Sequence, residues 1–369
     1  MYTMKHISVI TLHNVRNYGS ALQTLATQEV FEKLGYKVDF INYIRDEQVS
    51  IKKRIESWCE GFNPIKKLLY TLLLTPTFMK QDNIFGDFLK RRIHLQKHPY
   101  TTPEDFLQFP ITSDIYCTGS DQTWNSGWNK GIIGAMFLNF VPDNVKKISY
   151  SASFGKQRLD EWEKVETQRL LQRYSAISVR ESSGVEICDN LGIHGAINVL
   201  DPTLQMNRDF WMKYIGKRKI RDSYVLIYQL NTNPAFDRYA KEFARRKGKK
   251  LVRFCWRYDQ WIKCGKSLII PPVEDFVNAI YYADTVITDS FHATAFSINM
   301  NTDFIAIYPQ EYSARLDSIL KLTHLENRRL SSYDNFTLVD APHIDFTEAN
   351  QILDKEREKG WEFLKKALE

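Results

Sequence analysis

The sequence predicts an α/β protein built from two Rossmann-like domains that face one another across a cleft. Three observations lead to this fold class. The 369 residues exceed what a single hydrophobic core usually holds. Short apolar runs alternate with helical patterns almost throughout, which is typical of parallel sheets covered by helices. The alternation begins again near residue 205, just after Asp201-Pro202, where the residue before proline disfavours a helix.

The N-terminal series begins with a strand, a helix and a second strand. Residues 6–12 and 36–42 alternate between apolar and polar, and residues 21–34 between them have helical spacing that ends at Gly35. Helical patterns over 48–92 predict an insert at about 45–105. Strands are then expected at 115–118, 147–151 and 176–179, with helices at 161–174 and 181–191.

A second series follows in the C-terminal half. We expect strands at 224–228, 250–254, 285–288 and 304–307, and helices at 234–246, 274–283 and 290–300. The expected domains are therefore 1–205, which includes the insert, and 206–345. Residues 346–369 have helical spacing and form a C-terminal helix that we expect to pack back on the N-terminal domain.

Composition is that of an ordinary globular protein, with 43% hydrophobic and 25% charged residues. The formal net charge of +6 suits an anionic ligand, and no nucleic-acid-binding motif is present. Five cysteines without a CxxC pair indicate reduced, buried thiols.

The chain enters a strand without a signal-peptide pattern, so we expect a cytoplasmic protein. Histidines and carboxylates do not cluster at metal-ligand spacing, and we expect no metal site.

The longest apolar run is LLYTLLLTPTFM, residues 68–79. It is shorter than the about 20 residues that a membrane-spanning helix needs. Residues 52–92 are basic and partly amphipathic. This segment allows a peripheral membrane contact at the inner face of the membrane, a helical lid or a helix–helix contact.

Ligands bind open parallel sheets beyond the carboxyl ends of the strands, so the loops that leave strands matter most. In HNVRNYGS, residues Asn17, Tyr18 and Gly19 form a turn and Ser20 can cap the next helix, whose first backbone N–H groups attract anions. A plain turn with a cap explains the same residues.

The loop CTGSDQTWN follows the predicted strand at 115–118. Ser120, Asp121 and Gln122 offer hydrogen bonds that suit sugar hydroxyls or an acid, and Trp124 can stack on a sugar face. An Asx-turn is the structural alternative for Asp121.

Two further loops carry groups suited to anions and proton transfer. In ISVRESSG, Arg180 presents a planar fork for phosphate or carboxylate, or else it pairs with Glu181 or a neighbour. In TDSFHATAF, His292 falls in a first helical turn, where it can move protons or serve a structural role. No GxGxxG, GxxxxGK[ST], HExxH or GxSxG motif accompanies them.

A set of motifs in order resembles the polysaccharide pyruvyl transferase family. The motifs are NYGSALQTLA, GSDQTWN, SYSASFG, SVRESSG, VLDPTL, TDSFHATAFSI and YSARLDSIL. The resemblance runs from about residue 6 to residue 322 and implies a GT-B-like pair of domains. It also implies transfer of pyruvate from phosphoenolpyruvate to two hydroxyls of one sugar, with release of phosphate and no further cofactor.

The resemblance also assigns roles and partners. It implies that His292 is the acid/base residue, that Arg180 holds the donor's phosphate or carboxylate, and that Asp121 binds donor or acceptor. The acceptor is an oligosaccharide or lipid-linked glycan destined for a capsule, an exopolysaccharide or the cell wall. The other candidate substrate-binding residues are Asn17, Tyr18, Gly19, Ser120, Gln122, Trp124, Glu181, Ser290, Phe291, Thr294 and Arg315.

The chain departs from better-known members at two positions. Several have Arg where this chain has Ser290, and many have Gly where it has Ala293. We expect Arg315 to supply the charge instead. Two alternatives stay open: a GT-B glycosyltransferase that uses a nucleotide sugar, and a non-catalytic glycan-binding relative.

Overall fold

The computed structural model describes residues 4–309 and 314–369. The chain forms two compact units, each assembled from separate segments. Unit 1 contains Met1–Arg54, Phe88–Met206 and Lys355–Glu369, and unit 2 contains Ile55–Asp87 and Asn207–Asp354. Both are α/β units with parallel sheets, which confirms the predicted class of two Rossmann-like units.

The first half of the chain contains the following strands and helices. They are β1 (His6–Ile10), α1 (Tyr18–Lys33), β2 (Lys37–Phe40), α2 (Ile51–Trp58), α3 (Pro64–Arg92), α4 (Pro103–Gln108), β3 (Ile115–Thr118), β4 (Lys146–Ser149), α5 (Glu161–Leu171), β5 (Ser178–Val179), α6 (Ser182–Asn190), β6 (Ile197–Asn198) and α7 (Pro202–Gln205). The strands of unit 1 pair in parallel in the order β2-β1-β3-β4, and isolated bridges at Ile148–Ala176 and Ala152–Val179 join β5 and β6 to the β4 edge.

The second half continues with its own parallel sheet. Its elements are α8 (Arg208–Met212), β7 (Tyr224–Tyr228), α9 (Pro234–Arg246), β8 (Lys250–Cys255), β9 (Lys266–Ile269), α10 (Asp275–Tyr281), β10 (Thr285–Thr288), α11 (Phe291–Met300), β11 (Phe304–Ala306), α12 (Ala314–Leu322) and α13 (Thr347–Leu368). The sheet order is β11-β10-β7-β8-β9. Both β7 and β10 are buried along their whole length, so unit 2 builds its core on both faces of these central strands.

The helical insert differs from the expectation that it belongs to the first domain. Its segment Ile55–Asp87 groups with unit 2. Specific contacts explain this, because the Gln81 amide donates to the Trp256 carbonyl at 2.7 Å and Trp58 packs edge-on against Trp256. No helix within residues 4–309 and 314–369 is both long and apolar enough to cross a bilayer.

The end of α13 belongs to unit 1. The Arg357 Nε donates to the Leu204 carbonyl at 2.8 Å, and the Gln205 amide donates to the Arg357 carbonyl at 2.9 Å. Farther along, the Lys146 ammonium donates to the Ala367 carbonyl at 3.3 Å. These contacts fasten the last turns of the helix to α7 and to the edge of β4.

Candidate functional site

The loops that leave β1, β3, β4 and β5 meet at one edge of the unit 1 sheet. The Gly119 amide donates to the Ile10 carbonyl at 2.8 Å, and the Ser153 amide donates to the Asp121 carbonyl at 3.0 Å. Gly119 is needed here, because a Cβ would lie 3.1 Å from the Val9 side chain and 3.2 Å from that of Thr11. Polar loops that leave neighbouring strands therefore lie together within this unit.

Asp121 stands at the centre of this edge in an unusual backbone conformation. Its φ of 78° lies in the left-handed region, which costs energy for a residue other than glycine and often marks functional loops. One carboxylate oxygen accepts from the Gln122 amide at 2.9 Å and from the Arg180 guanidinium at 3.4 Å. The other oxygen accepts from the Ser20 hydroxyl.

Arg180 is buried between two carboxylates. Its guanidinium donates to Asp201 at 2.8 Å as well as to Asp121, and the Arg180 and Asp201 side chains are 1% and 0% exposed. Burial alone would lower the pKa of Arg180, but Asp201 and Asp121 outweigh it and hold that pKa above its ordinary value. The expectation of an open anion-binding fork is therefore not met, because the guanidinium faces protein carboxylates.

Asp201 accepts from the same guanidinium, although its sequence context indicates a break between domains. Its second oxygen accepts from the Thr203 amide at 2.9 Å, which caps α7. The oxygen that faces Arg180 also accepts from the Ser120 hydroxyl at 3.1 Å. An Asp-Pro-Thr sequence signals a helix cap, but the partnership with Arg180 spans 21 residues and has no local signal.

No hydrogen bond among the described residues joins the Glu181 carboxylate to Arg180. One of its carboxylate oxygens accepts from the Ser153 hydroxyl at 3.0 Å and from the Gly155 amide at 2.9 Å. The other oxygen, like the hydroxyl of Ser151, is buried without a hydrogen-bond partner among residues 4–309 and 314–369. Buried polar atoms in native proteins are normally satisfied, so both atoms are suited to a bound water or ligand.

Trp124 occupies a different place from the one predicted. Its side chain is 2% exposed and stacks on Phe137 at 5.4 Å between ring centroids, with Tyr174 edge-on at 5.7 Å. The indole N–H donates to the Met136 carbonyl at 3.2 Å. Both the ring and its polar atom are used by the core, so Trp124 is a packing residue and offers no face for a sugar.

The start of α1 also differs from the prediction. Asn17, rather than Ser20, caps the helix, and its side-chain oxygen accepts from the amides of Gly19 at 2.9 Å and Ser20 at 3.3 Å. These two donors are therefore engaged by the cap instead of being offered to an anion. Tyr18 is buried, and the partly buried Gln122 accepts from the Asn125 amide group.

In unit 2 the carboxyl ends of β7 and β10 are tied together by Asp289. Its carboxylate accepts from the backbone amides of Leu230 at 2.7 Å and Asn231 at 2.9 Å, and from the Asn231 side chain at 3.0 Å. Burial raises the pKa of Asp289, and these N–H donors partly oppose the rise. Asp289 thus fixes the loop after β7 beside the start of α11.

His292 lies in the first turn of α11, as predicted. Ser290 caps the helix by accepting from the Ala293 amide at 3.4 Å. The His292 and Phe291 rings meet edge-on with centroids 5.2 Å apart. The Arg315 guanidinium lies 5.7 Å from the Phe291 ring centroid, at the start of α12.

Phe291 therefore contacts both His292 and Arg315 within unit 2. The Thr294 hydroxyl, one turn into α11, is buried without a hydrogen-bond partner in the described part of the chain. The imidazole and the guanidinium, 23 residues apart in the sequence, therefore lie against the same Phe291 ring. The motif residues Tyr312 and Ser313 lie outside the described residues.

Among the solved structures with similar backbones are three of low sequence identity to this chain. A putative UDP-N-acetylglucosamine 2-epimerase from Listeria monocytogenes is 11% identical, covers 95% of each chain and has a TM-score of 0.46. Arabidopsis thaliana UGT89C1 in complex with UDP-L-rhamnose is 11% identical, covers 98% of this chain and 95% of its own, and has a TM-score of 0.46. MnaA of S. aureus with UDP is 11% identical, covers 96% and 97%, and has a TM-score of 0.48.

The comparison with protein families is more specific. No curated protein matches the chain. The family model described as polysaccharide pyruvyl transferase matches residues 17–311, which include every candidate site residue except Arg315. The motifs on which the resemblance was based lie mostly within this match. The chain therefore belongs to the polysaccharide pyruvyl transferase family.

Proposed function

We propose that this chain transfers pyruvate from phosphoenolpyruvate to two hydroxyls of one sugar, forming a ketal and releasing phosphate. The acceptor is a cell-surface glycan or its lipid-linked precursor, and the reaction takes place in the cytoplasm at the inner face of the membrane. The family match over residues 17–311 carries this proposal. The positions of His292 and Arg315 at the starts of two helices, each against the Phe291 ring, support it.

The chemistry requires proton transfer and a place for a small, highly charged anion. Protonation of the methylene carbon of the enol phosphate leaves a cation-like centre at the carbon that bears the carboxylate. One sugar hydroxyl attacks this centre and loses its proton. The phosphate group then leaves with its bonding electron pair, and the second hydroxyl attacks the same carbon and gives up its proton, which ends on the released phosphate. The products are the cyclic ketal and inorganic phosphate.

His292 is the proposed acid/base residue, because imidazole exchanges protons near neutral pH. A placed proton donor of this kind contributes about 100- to 10,000-fold to the rate. The N-terminus of α11 favours an anion beside His292, and Arg315, which lies against the neighbouring Phe291 ring, is the proposed second positive group. The buried polar hydroxyl of Thr294 is suited to a hydrogen bond with the same ligand.

The buried group of Asp121, Arg180 and Asp201 in unit 1 is assigned a supporting role in this proposal. Arg180 is placed between Asp121 and Asp201, so we assign it to orienting these carboxylates rather than to direct contact with the donor's phosphate. Asp121, Ser120 and Gln122 keep their proposed part in binding donor or acceptor. Glu181, with one unpartnered oxygen, is suited to accept from a hydroxyl group.

The test is an acceptor-dependent assay of phosphate release. The full chain is incubated with phosphoenolpyruvate and galactosyl, mannosyl or N-acetylmannosaminyl acceptors, and the ketal is identified by mass spectrometry. His292→Ala should lower the rate about 100-fold or more. His324→Ala is the matched control, because that histidine is exposed and pairs with Glu348.

Three outcomes would contradict the proposal. Phosphate release that does not depend on an acceptor would show that no sugar is modified. Product formed from a nucleotide sugar alone would identify a glycosyltransferase. Thermal stabilisation by glycans with no turnover of phosphoenolpyruvate would identify a non-catalytic glycan-binding protein.

A further inference from the structure

An apolar stripe runs along the exposed side of α3. The side chains that form it, which we call the α3 stripe, are Ile65, Leu68, Leu69, Leu72, Leu73 and Met79, each between 51% and 83% exposed. Spacings of three and four residues place them on one side of the helix. Single exposed apolar residues are common on soluble proteins, but a contiguous set of this size marks an interaction surface.

The opposite side of α3 is held by unit 2. Leu74, Thr77, Phe78, Gln81 and Phe85 are all buried. The Thr77 hydroxyl accepts from the Tyr258 amide at 3.2 Å, and the Gln81 side chain donates to the Trp256 carbonyl at 2.7 Å. One side of α3 is therefore buried in the core of unit 2. The α3 stripe is a second apolar side of the same helix, and it stays exposed.

The charged residues within the stretch of chain that carries the stripe are all positive. Between residues 61 and 81 the sequence contains Lys66, Lys67 and Lys80 and no acidic residue. The Lys66 ammonium lies 3.8 Å from the centroid of the Phe62 ring, next to the start of the helix. Positive charges beside exposed leucines complement a surface that is apolar just below a layer of negative charge.

We propose that the α3 stripe docks on the surface of a bilayer that contains anionic lipids. Interfacial helices combine leucine-rich and lysine-rich sides in this way, and they lie in the plane of the membrane with the apolar side sunk into the acyl boundary. Residues 65–79 extend about 21 Å at 1.5 Å per residue, which suits a helix lying flat. The buried polar contacts of Thr77 and Gln81 keep the other side of the helix on unit 2.

The bilayer is favoured over a protein occupant by charge. A second copy would bring the same lysines to the contact, and like charges repel there. A lipid surface supplies many phosphates and attracts each nearby lysine. The inference rests on α3 alone and goes beyond the proposed transferase activity, so vesicle binding can succeed or fail independently of turnover.

The test is flotation of the full chain with lipid vesicles, without phosphoenolpyruvate or acceptor. The wild-type chain should float with phosphatidylglycerol–phosphatidylcholine vesicles and much less with phosphatidylcholine alone. The Leu68→Ser/Leu72→Ser variant should lower the bound fraction about ten-fold or more, because it removes two exposed apolar anchors. Lys66→Glu/Lys67→Glu should lower it at least about five-fold on anionic vesicles, with the difference shrinking at high salt.

The matched control is Trp162→Ser/Val165→Ser on α5, which removes two exposed apolar residues from a helix that begins with acidic ones. This control should bind vesicles like the wild type, and circular dichroism should show all variants folded. Absence of wild-type flotation, or equal flotation of the leucine variant, would overturn the proposal. A wild-type dimer that the leucine variant converts to a monomer, without vesicle binding, would assign the stripe to self-association instead.

Discussion

The Arg180 guanidinium and the Asp201 carboxylate form a fully buried ion pair at 2.8 Å, with Asp121 on the other side of the guanidinium. A buried charge is stabilised only while its partners are present, because water cannot replace them. This pair links the end of β5 to the cap of α7. The strand-end loops of unit 1 therefore depend on one charged group for their arrangement.

Removal of the Arg180 charge should strongly destabilise the protein. Arg180→Met leaves two buried carboxylates facing each other, and we expect a loss of about 3–5 kcal/mol in the free energy of unfolding. Urea denaturation followed by circular dichroism measures it. Arg169→Met is the control, since the exposed Arg169–Glu166 pair should contribute little to the free energy of unfolding. Equal losses for the two variants would contradict the structural role of Arg180.

Arg315 should act on donor binding. Loss of one charge-assisted hydrogen bond costs about 1.5–3 kcal/mol, so Arg315→Gln should raise the KM for phosphoenolpyruvate roughly 10- to 100-fold. The kcat should change less, because the acid/base group His292 is retained. Lys321→Gln, on the same helix and paired with Asp317, is the control and should leave KM unchanged. A fall in kcat with constant KM would assign Arg315 to the chemical step.

His13 should give the protein a pH-dependent stability. Burial lowers the pKa of this imidazole to about 4 from 6.5, while the nearby Asn42 side chain and Thr11 carbonyl oppose the shift. The folded state thus disfavours the protonated form, and its stabilising contribution is complete above pH 6.5 and is lost as pH falls toward 4. We expect a loss of roughly 3 kcal/mol over this window.

Urea titrations at several pH values check the His13 prediction. The difference between wild type and His13→Gln should depend on pH within this window, because only the wild type carries the buried imidazole. His194→Gln, at an exposed position, should not alter the profile. A wild-type profile that is unchanged by His13→Gln would show that other groups cause the acid sensitivity.

Gly184 should resist substitution because α6 lies close to β5. A Cβ at this position would meet the Val179 Cβ at 3.0 Å and its methyl groups at 3.1 and 3.3 Å. Gly184→Ala should therefore cost about 1–3 kcal/mol by overpacking, measured as a lower thermal midpoint. Gly86→Ala on α3 is the contrast, because a Cβ there would have no atom within 4 Å, so this helical alanine should be neutral or stabilising.

Local patterns predicted most of the regular elements and the position of His292. The helix expected at 21–34 starts earlier, at Tyr18, because Asn17 is the cap that satisfies the first amides. The strand β9 was not predicted, since its side chains are only partly buried at the sheet edge and its pattern is weak. These differences concern the end of a helix and the edge strand of a sheet, where packing adds little to the sequence pattern that defines an element.

The candidate site was less predictable than the fold. The sequence indicated that Asp121 and Arg180 matter, but the second carboxylate that accepts from Arg180, Asp201, and the burial of all three depend on contacts between distant segments. Trp124 illustrates the same limit. A tryptophan can occupy an exposed loop or a core position. Only the packing of Trp124 against Phe137 and Tyr174 shows that it belongs to the core.

The division of unit 1 into three separate stretches of chain affects how it is made. Its last stretch, Lys355–Glu369, contributes the contacts with Leu204 and Lys146. During translation unit 2 is synthesised between the second and third stretches, so unit 1 cannot reach its final contacts until the ribosome has passed residue 354. Nascent chains should therefore expose the α7 side of this unit for longer than a chain of contiguous domains would, which makes chaperone binding at that stage an expected part of its biogenesis.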